Sequence, residues 1–132
     1  MDIAKTDIRL SVVVPFYNAE RHIGDCVHSL MRQSLSGGIE FIFVNDSSTD
    51  ASEAVLQAVV SSYPQRRDQV TVLRNDINRG SAYSRQRGVD AASGEFVIHC
   101  DADDWVDAEM YGTMLRVADS TGADVVCTPY YL

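Results

Sequence analysis

Apolar positions in this chain fall into short unbroken runs separated by stretches with helical spacing, and that alternation organises everything else. Ile8 to Phe16, with Val12-Val13-Val14 at its centre, is a β-branched run without in-out alternation, as expected of a strand covered on both faces, and Pro15 closes it. Ile23, Val27, Leu30 and Met31 then recur at i, i+4, i+7 and i+8, one buried stripe of a helix that Asn18 can cap and Ser36-Gly37-Gly38 ends. Ile39 to Val44 is a second buried strand. After the polar turn Asn45 to Asp50, the pairing of Asp50 with Glu53 predicts a capped helix running to about Ser62, ahead of Pro64. Val70 to Leu73 forms a third strand, Asn75 to Gly80 a loop, and Ser81 to Ala92 a helix that ends at Gly94. The run that Gly94 opens and Asp101 ends is the fourth strand. A last helix, from about Asp107 to Ser120, presents Met110, Met114, Val117 and Ala118, with Gly122 as its C′ residue, and Val125-Val126-Cys127 begins a fifth strand.

Strands alternating with helices predict one α/β domain over the 132 residues, a mostly parallel sheet with flanking helices and right-handed crossovers. In the common strand order 3-2-1-4, strands one and four lie side by side where the winding reverses, so Asn18 and the Asp101 to Asp104 turn face one crevice. Asp46, at the neighbouring strand end, opens into it as well.

Asp101, Asp103 and Asp104 close the fourth strand, and three aspartates within four positions repel one another unless something positive sits among them. Hard oxygen ligands at this spacing suit Mg²⁺, Mn²⁺ or Ca²⁺ rather than zinc. The plainer alternative is a solvated acidic loop that caps the following helix. A calcium loop of the EF-hand kind fails, because Val106 stands where it needs Gly and Gly112 where it needs Glu.

A net charge of −8 argues against a nucleic-acid partner and makes a bound cation more useful to a protein that handles phosphates. Cys26, Cys100 and Cys127 are odd in number, lie in apolar contexts and read as buried thiols in a reducing compartment. Neither a leader pattern nor an apolar run of membrane-spanning length is present, so the expected location is cytoplasmic. Neither G-x-G-x-x-G nor G-x-x-x-x-G-K-[ST] occurs, which sets aside dinucleotide oxidoreductases and P-loop NTPases. His22 and His28 do not share a helix face and read as surface or core residues, and His99 as a core histidine.

Taken together, Ser11-Val12-Val13-Val14-Pro15-Phe16-Tyr17-Asn18-Ala19-Glu20, Phe43-Val44-Asn45-Asp46-Ser47-Ser48-Thr49-Asp50, Asn78-Arg79-Gly80 with Arg85 and Gly88, and Gly94-Glu95 leading to Asp101-Ala102-Asp103-Asp104 form an ordered set. That set resembles the donor-binding half of a family 2 glycosyltransferase, from Leu10 onward. The resemblance implies the Rossmann-like GT-A fold and metal-assisted, inverting transfer from a nucleotide-diphosphate sugar, usually UDP-linked, with Mg²⁺ or Mn²⁺ as cofactor. It implies that Pro15, Tyr17 and Asn18 lie beside the nucleoside, that Asp46 accepts hydrogen bonds from the base, and that Arg85 sits near the diphosphate. It puts Asp103 on the metal and leaves Asp101 and Asp104 to share the ribose, the metal's waters and the sugar, Asp101 grouped with the nucleotide and Asp104 with the metal. Residue by residue, plainer roles stand beside these: Asp46 and Asn18 as helix caps, Arg85 as an exposed helix residue, Asn78 and Gly80 as a tight turn.

In that family the acceptor site and the general base follow the strand that begins near Val125, so the base is expected beyond Leu132 and the chain is expected to be truncated. The acceptor would be a glycan, a lipid or another hydroxyl, with peripheral membrane association of a longer protein. An uncovered edge from Val125 to Tyr131 would favour homo-oligomers. Two other readings stay open: a nucleotide- and metal-binding remnant without turnover, and a D-x-D phosphatase or nucleotidyltransferase on a similar sheet.

Overall fold

A computed structural model describes residues 7 to 126. Four strands, β1 (Leu10–Phe16), β2 (Ile39–Asn45), β3 (Val70–Arg74) and β4 (Phe96–His99), form one sheet in the order β3-β2-β1-β4. Every pairing is parallel, as the alternating pattern requires. The helices are α1 (Ile23–Met31), α2 (Ser52–Ser61), α3 (Ser81–Ala91) and α4 (Met110–Thr121), with a 3-10 segment at Pro64–Gln69. None of the described helices is long and apolar enough to cross a membrane.

The two faces of the sheet are covered differently. On one, Val12, Val14 and Phe16 of β1 and Phe41 and Phe43 of β2 meet Ile23, Val27 and Leu30 of α1, Leu56 of α2 and Tyr111 and Leu115 of α4, all buried in one core. On the other, α3 lies against β1 and β2 with Ser84 and Gly88 as its buried residues. Small side chains let that helix approach closely: a Cβ on Gly88 would stand 2.3 Å from Val13 Cγ1.

Several elements depart from the expected pattern for identifiable reasons. Pro15 lies within β1, in register with Val44, and the strand continues to Phe16. The carbonyl of Val13 accepts from Cys100 N on the β4 side, so by alternation the missing N–H of Pro15 falls past the end of β4, where nothing asks for a donor. Helix α1 ends at Met31, well before Gly37, because the buried Arg66 guanidinium donates to the carbonyls of Met31 (3.1 Å) and Gln33 (2.6 Å). Helix α4 starts at Met110 rather than Asp107; it buries Tyr111, Gly112, Leu115 and Ala118, while Val117 is exposed. Glu53 does not close a capping box but turns to Arg74 (2.6 Å) and Asn45 (3.1 Å). His99 is not a core residue: it alternates with Val97 on an exposed face of β4, whose other face carries Phe96 and Ile98 against the core. Val125 and Val126 are not in a strand, and the rest of the expected fifth strand, with Cys127 and the edge to Tyr131, lies outside the described residues.

At the carboxyl end of the sheet β4 stops short. His99 is level with Val13, while β1 and β2 run on together to Phe16 and Asn45, which leaves a notch beside the end of β1.

Overpacking against Val13 gives a stability test. Gly88→Ala should lower the unfolding free energy by about 1–3 kcal/mol without changing the denaturant slope. In urea titrations, Gly88→Ala should cost less in a Val13→Ala background than alone, because the clashing methyl is gone.

Candidate functional site

The notch opens into a cleft of about 430 Å³ at the carboxyl ends of the strands. Its walls include Pro15 in β1 and Tyr17 and Asn18 after it, Asp46 after β2, Arg85 on α3, and Asp101 and Asp103 after β4. Asp104 does not line the cleft, yet carboxylate oxygens of Asp101, Asp103 and Asp104 lie within 4.8 Å of one another.

The loops after β1 and β2 are laced together. Asn18 has a left-handed backbone, φ 47°, which asparagine tolerates better than most residues. That turn aims its side chain at the second loop, where Oδ1 accepts from Thr49 N (2.8 Å) and Asp50 N (3.3 Å). Asn18 N in return donates to Ser48 Oγ (3.0 Å), Ala19 N to Ser52 Oγ (2.7 Å), and Ala51 N to Glu20 Oε1 (2.8 Å). Asn18 is therefore a cross-loop clasp rather than the cap of α1, whose N-cap position is His22 with no side-chain bond.

Asp46 is 4% exposed, and its carboxylate accepts three hydrogen bonds. Its Oδ1 accepts from Asn75 Nδ2 (2.9 Å) and Arg79 N (2.7 Å), and its Oδ2 from Gly80 N (2.9 Å). Burial pushes its carboxyl up, but the backbone N–H of Arg79, the Asn75 amide and the Gly80 N–H outweigh that and hold it below the usual carboxylate range. It does not cap α2; it gathers the loop that leads into α3. Gly80 reaches it with φ 94°, a conformation glycine adopts without strain. Asn75 Nδ2 also donates to Ser84 Oγ (2.9 Å), so the same hub fixes the start of α3.

From α3, Arg85 reaches Asp101 Oδ1 at 3.4 Å across the cleft. Asp104 is held above the usual carboxylate range, first by partial burial and then by the charges of Asp103 and Asp101. Behind the acids, the buried Cys26 and Cys100 thiols lie 3.9 Å apart, and both donate to the carbonyl of Asp101 at 3.6 Å. Three clustered carboxylates with one guanidinium nearby make a hard, anionic donor set that fits Mg²⁺ or Mn²⁺.

Three cleft residues escaped the sequence reading. Ser81 and Ser84 sit at i and i+3 of α3 on the face that carries Arg85, a spacing visible in the sequence. His22 also lines the cleft, although its sequence context suggested only a surface or core role.

The described cleft can be set beside known proteins. The family model for glycosyl transferase family 2 matches residues 11–132. The chain is 36% identical over 117 residues to the uncharacterized glycosyltransferase YibD of Escherichia coli, covering 89% of this chain and 32% of that protein. It is 34% identical over 122 residues to glycosyltransferase GlyG of Streptococcus pneumoniae, covering 92% of this chain and 39% of that one. Among solved structures, TarS of S. aureus in complex with UDP superposes with a TM-score of 0.78 at 27% identity, over 87% of this chain and 33% of that one. TarS in complex with UDP-GlcNAc gives the same TM-score, 0.78. The chain thus spans about a third of the length of the relatives it matches.

The Asp46 hub yields a test with a defined sign. In Asp46→Asn the new amide faces the Gly80 N–H, so stability at neutral pH should fall by about 2 kcal/mol. Asp46 has a folded pKa below its unfolded value of about 3.9, so its stabilisation is fully present above that value and is lost as pH falls through the lower, folded one. Urea unfolding should therefore show the gap between wild type and Asp46→Asn narrowing below about pH 4 and constant from pH 5 to 7.

Proposed function

This chain belongs to glycosyl transferase family 2, and we propose that its cleft binds a nucleotide-diphosphate sugar, most simply a UDP-sugar, as the donor part of a sugar-transferring enzyme. One observation carries the reading: a single cleft gathers the buried Asp46 carboxylate after β2, Arg85 on α3, and Asp101 and Asp103 after β4, with β1 between the two strand ends. The likeness to TarS, solved with UDP and with UDP-GlcNAc, supports uridine as the nucleoside.

Asp46 suits the base. A carboxylate offers about four acceptor positions, of which Asn75, Arg79 and Gly80 take three, leaving one on Oδ2 toward the cleft for a uracil N–H. Pro15 and Tyr17 flank the ring, and Tyr17, 48% exposed, has a free aromatic face to offer. Asn18 acts on the nucleoside indirectly, by clasping the two loops that frame it. Arg85, on the opposite wall, is placed to leave Asp101 for the diphosphate, a charge-assisted contact that strengthens as the leaving group gains charge.

Asp103 and Asp104 would hold Mg²⁺ or Mn²⁺, with Asp101 beside them, and the ion when bound would neutralise charge on the leaving diphosphate. Without it the three carboxylates oppose an anionic ligand. The carboxylates that line the cleft are Asp46, Asp101 and Asp103, and all are committed to base, phosphate or metal. Following the resembled family, deprotonation of the acceptor, a glycan, lipid or other hydroxyl, is assigned to a group outside residues 7 to 126, with transfer by inversion.

Titration calorimetry distinguishes the two ends of the site. UDP should bind at least about tenfold more tightly with Mg²⁺ than in chelator, a difference of roughly 1.4 kcal/mol. Asp103→Ala should erase that difference while leaving uridine binding alone, and Asp46→Asn should weaken uridine itself about tenfold. Equal UDP affinity with and without metal would remove the metal from the site. Weakened uridine binding in Asp103→Ala, with none in Asp46→Asn, would reverse the orientation.

A further inference from the structure

Trp105, the chain's single tryptophan, is 73% exposed, although burying so large a ring ordinarily contributes as much as any core residue. Its loop is not loose. Asp104 N donates to Asp101 O (3.0 Å) on one side of it and Val106 N to Ser29 Oγ (3.1 Å) on the other, and Gln33 Nε2 holds the Asp107 carbonyl at 2.7 Å. Val106 packs against the core, so the backbone is fastened to α1 immediately after the indole leaves the surface. The cleft itself does not include Trp105.

Position along the sheet then decides what can reach it. The β2 side carries Asp46 and the β4 side the acidic cluster, so a ligand with its base at Asp46 and its diphosphate at Arg85 and Asp103 directs whatever the diphosphate carries toward the loop beyond Asp103. Trp105 is the next residue after Asp104 in that loop, one peptide step of 3.8 Å away. A pyranose ring has one face of C–H bonds whose positive edge complements the negative face of an indole, and a rigid aromatic offers that contact at little entropic cost.

We propose that Trp105 is a sugar-contacting residue, its indole stacking on the apolar face of a pyranose ring held at the diphosphate end of the cleft, the donor's own sugar or that of the acceptor. This rests on the nucleotide-sugar reading of the cleft and goes beyond it, because nothing in the nucleotide or metal contacts calls for an aromatic there. It also separates two functions along one loop, charge at Asp101 to Asp104 and apolar contact at Trp105.

A sole tryptophan reports on itself. In Mg²⁺, UDP should leave the emission of Trp105 nearly unchanged, whereas UDP-glucose, UDP-N-acetylglucosamine or UDP-galactose should shift it to the blue if the donor sugar is the partner. If the acceptor is the partner, methyl glucoside, galactoside or N-acetylglucosaminide added to the UDP-loaded chain should produce the shift instead. Calorimetry gives the second readout: Trp105→Ala should keep the UDP affinity within about twofold and lose roughly three- to tenfold for the sugar-bearing ligand, with Trp105→Phe keeping most of it. Because the side chain is exposed, neither substitution removes core packing. The proposal is overturned if no sugar ligand moves the emission beyond the UDP value, or if Trp105→Ala binds every one of them as wild type does. A failure of UDP itself to bind would instead strike the nucleotide reading, which Trp105 does not enter.

Discussion

A buried carboxylate without a counterion must be satisfied by hydrogen bonds, and Asp46 imposes that demand at the tip of β2. The donors come from Asn75, Arg79 and Gly80, residues far along the chain that must fold back to the strand end to supply them. Those bonds draw the loop entering α3 over the strand end, and the packing of α3 on β1 and β2 completes the attachment. With them, Asn75 ties Ser84, α3 starts in place, and Arg85 one residue on faces Asp101. The cleft's electrostatics therefore hang on a residue that touches neither the acidic cluster nor the arginine.

The laced loops around Asn18 answer the same kind of demand on the other wall. Strand ends leave backbone N–H groups that helices do not consume, and here Asn18, Ser48, Ser52 and Glu20 take them up in pairs across two loops. This wall of the cleft is consequently a cross-linked unit rather than two independent loops. Behind the acidic cluster, the Cys26 and Cys100 thiols direct their weak donors to one carbonyl, that of Asp101, and the contact with Cys100 together with burial pushes the Cys26 thiol well above its usual range. They behave there as small hydrophobes that shape the turn.

The layout was legible because parallel α/β sheets write themselves in a coarse code: buried strands as unbroken apolar runs, crossovers as helical stripes, and ligand sites at the strand ends. Strand order, the acids after β4 and the shared crevice of Asn18, Asp46 and the Asp101 to Asp104 turn followed from it, whereas Pro15, Tyr17 and Arg85, which line the same cleft, were expected only from the family resemblance. What was not legible depended on partners distant in sequence. Asn18 and Glu53 carry good capping chemistry, but Thr49 and Arg74 compete for their side chains and win. The early end of α1 is written in Arg66, thirty-five positions from the carbonyl it takes. His99 was misplaced because strand periodicity does not say which face a helix covers, and α3 covers β1 and β2 but leaves the outer face of β4 open.

The shortfall of β4 acts as a ruler. Phe16 lies three residues past Val13, the partner of His99, so the ends of β1 and β4 are offset by about 10 Å at the 3.3 Å rise of a parallel strand. That offset is quantised: inserting or deleting one residue in β4 would shift the acids by about 3.3 Å and turn Asp101 to the opposite side of the sheet, whereas two would restore the side at a different depth. Substitutions in the walls can tune what the cleft prefers, but its span is set by counting residues, and a change of span must come in steps that side-chain replacement cannot supply.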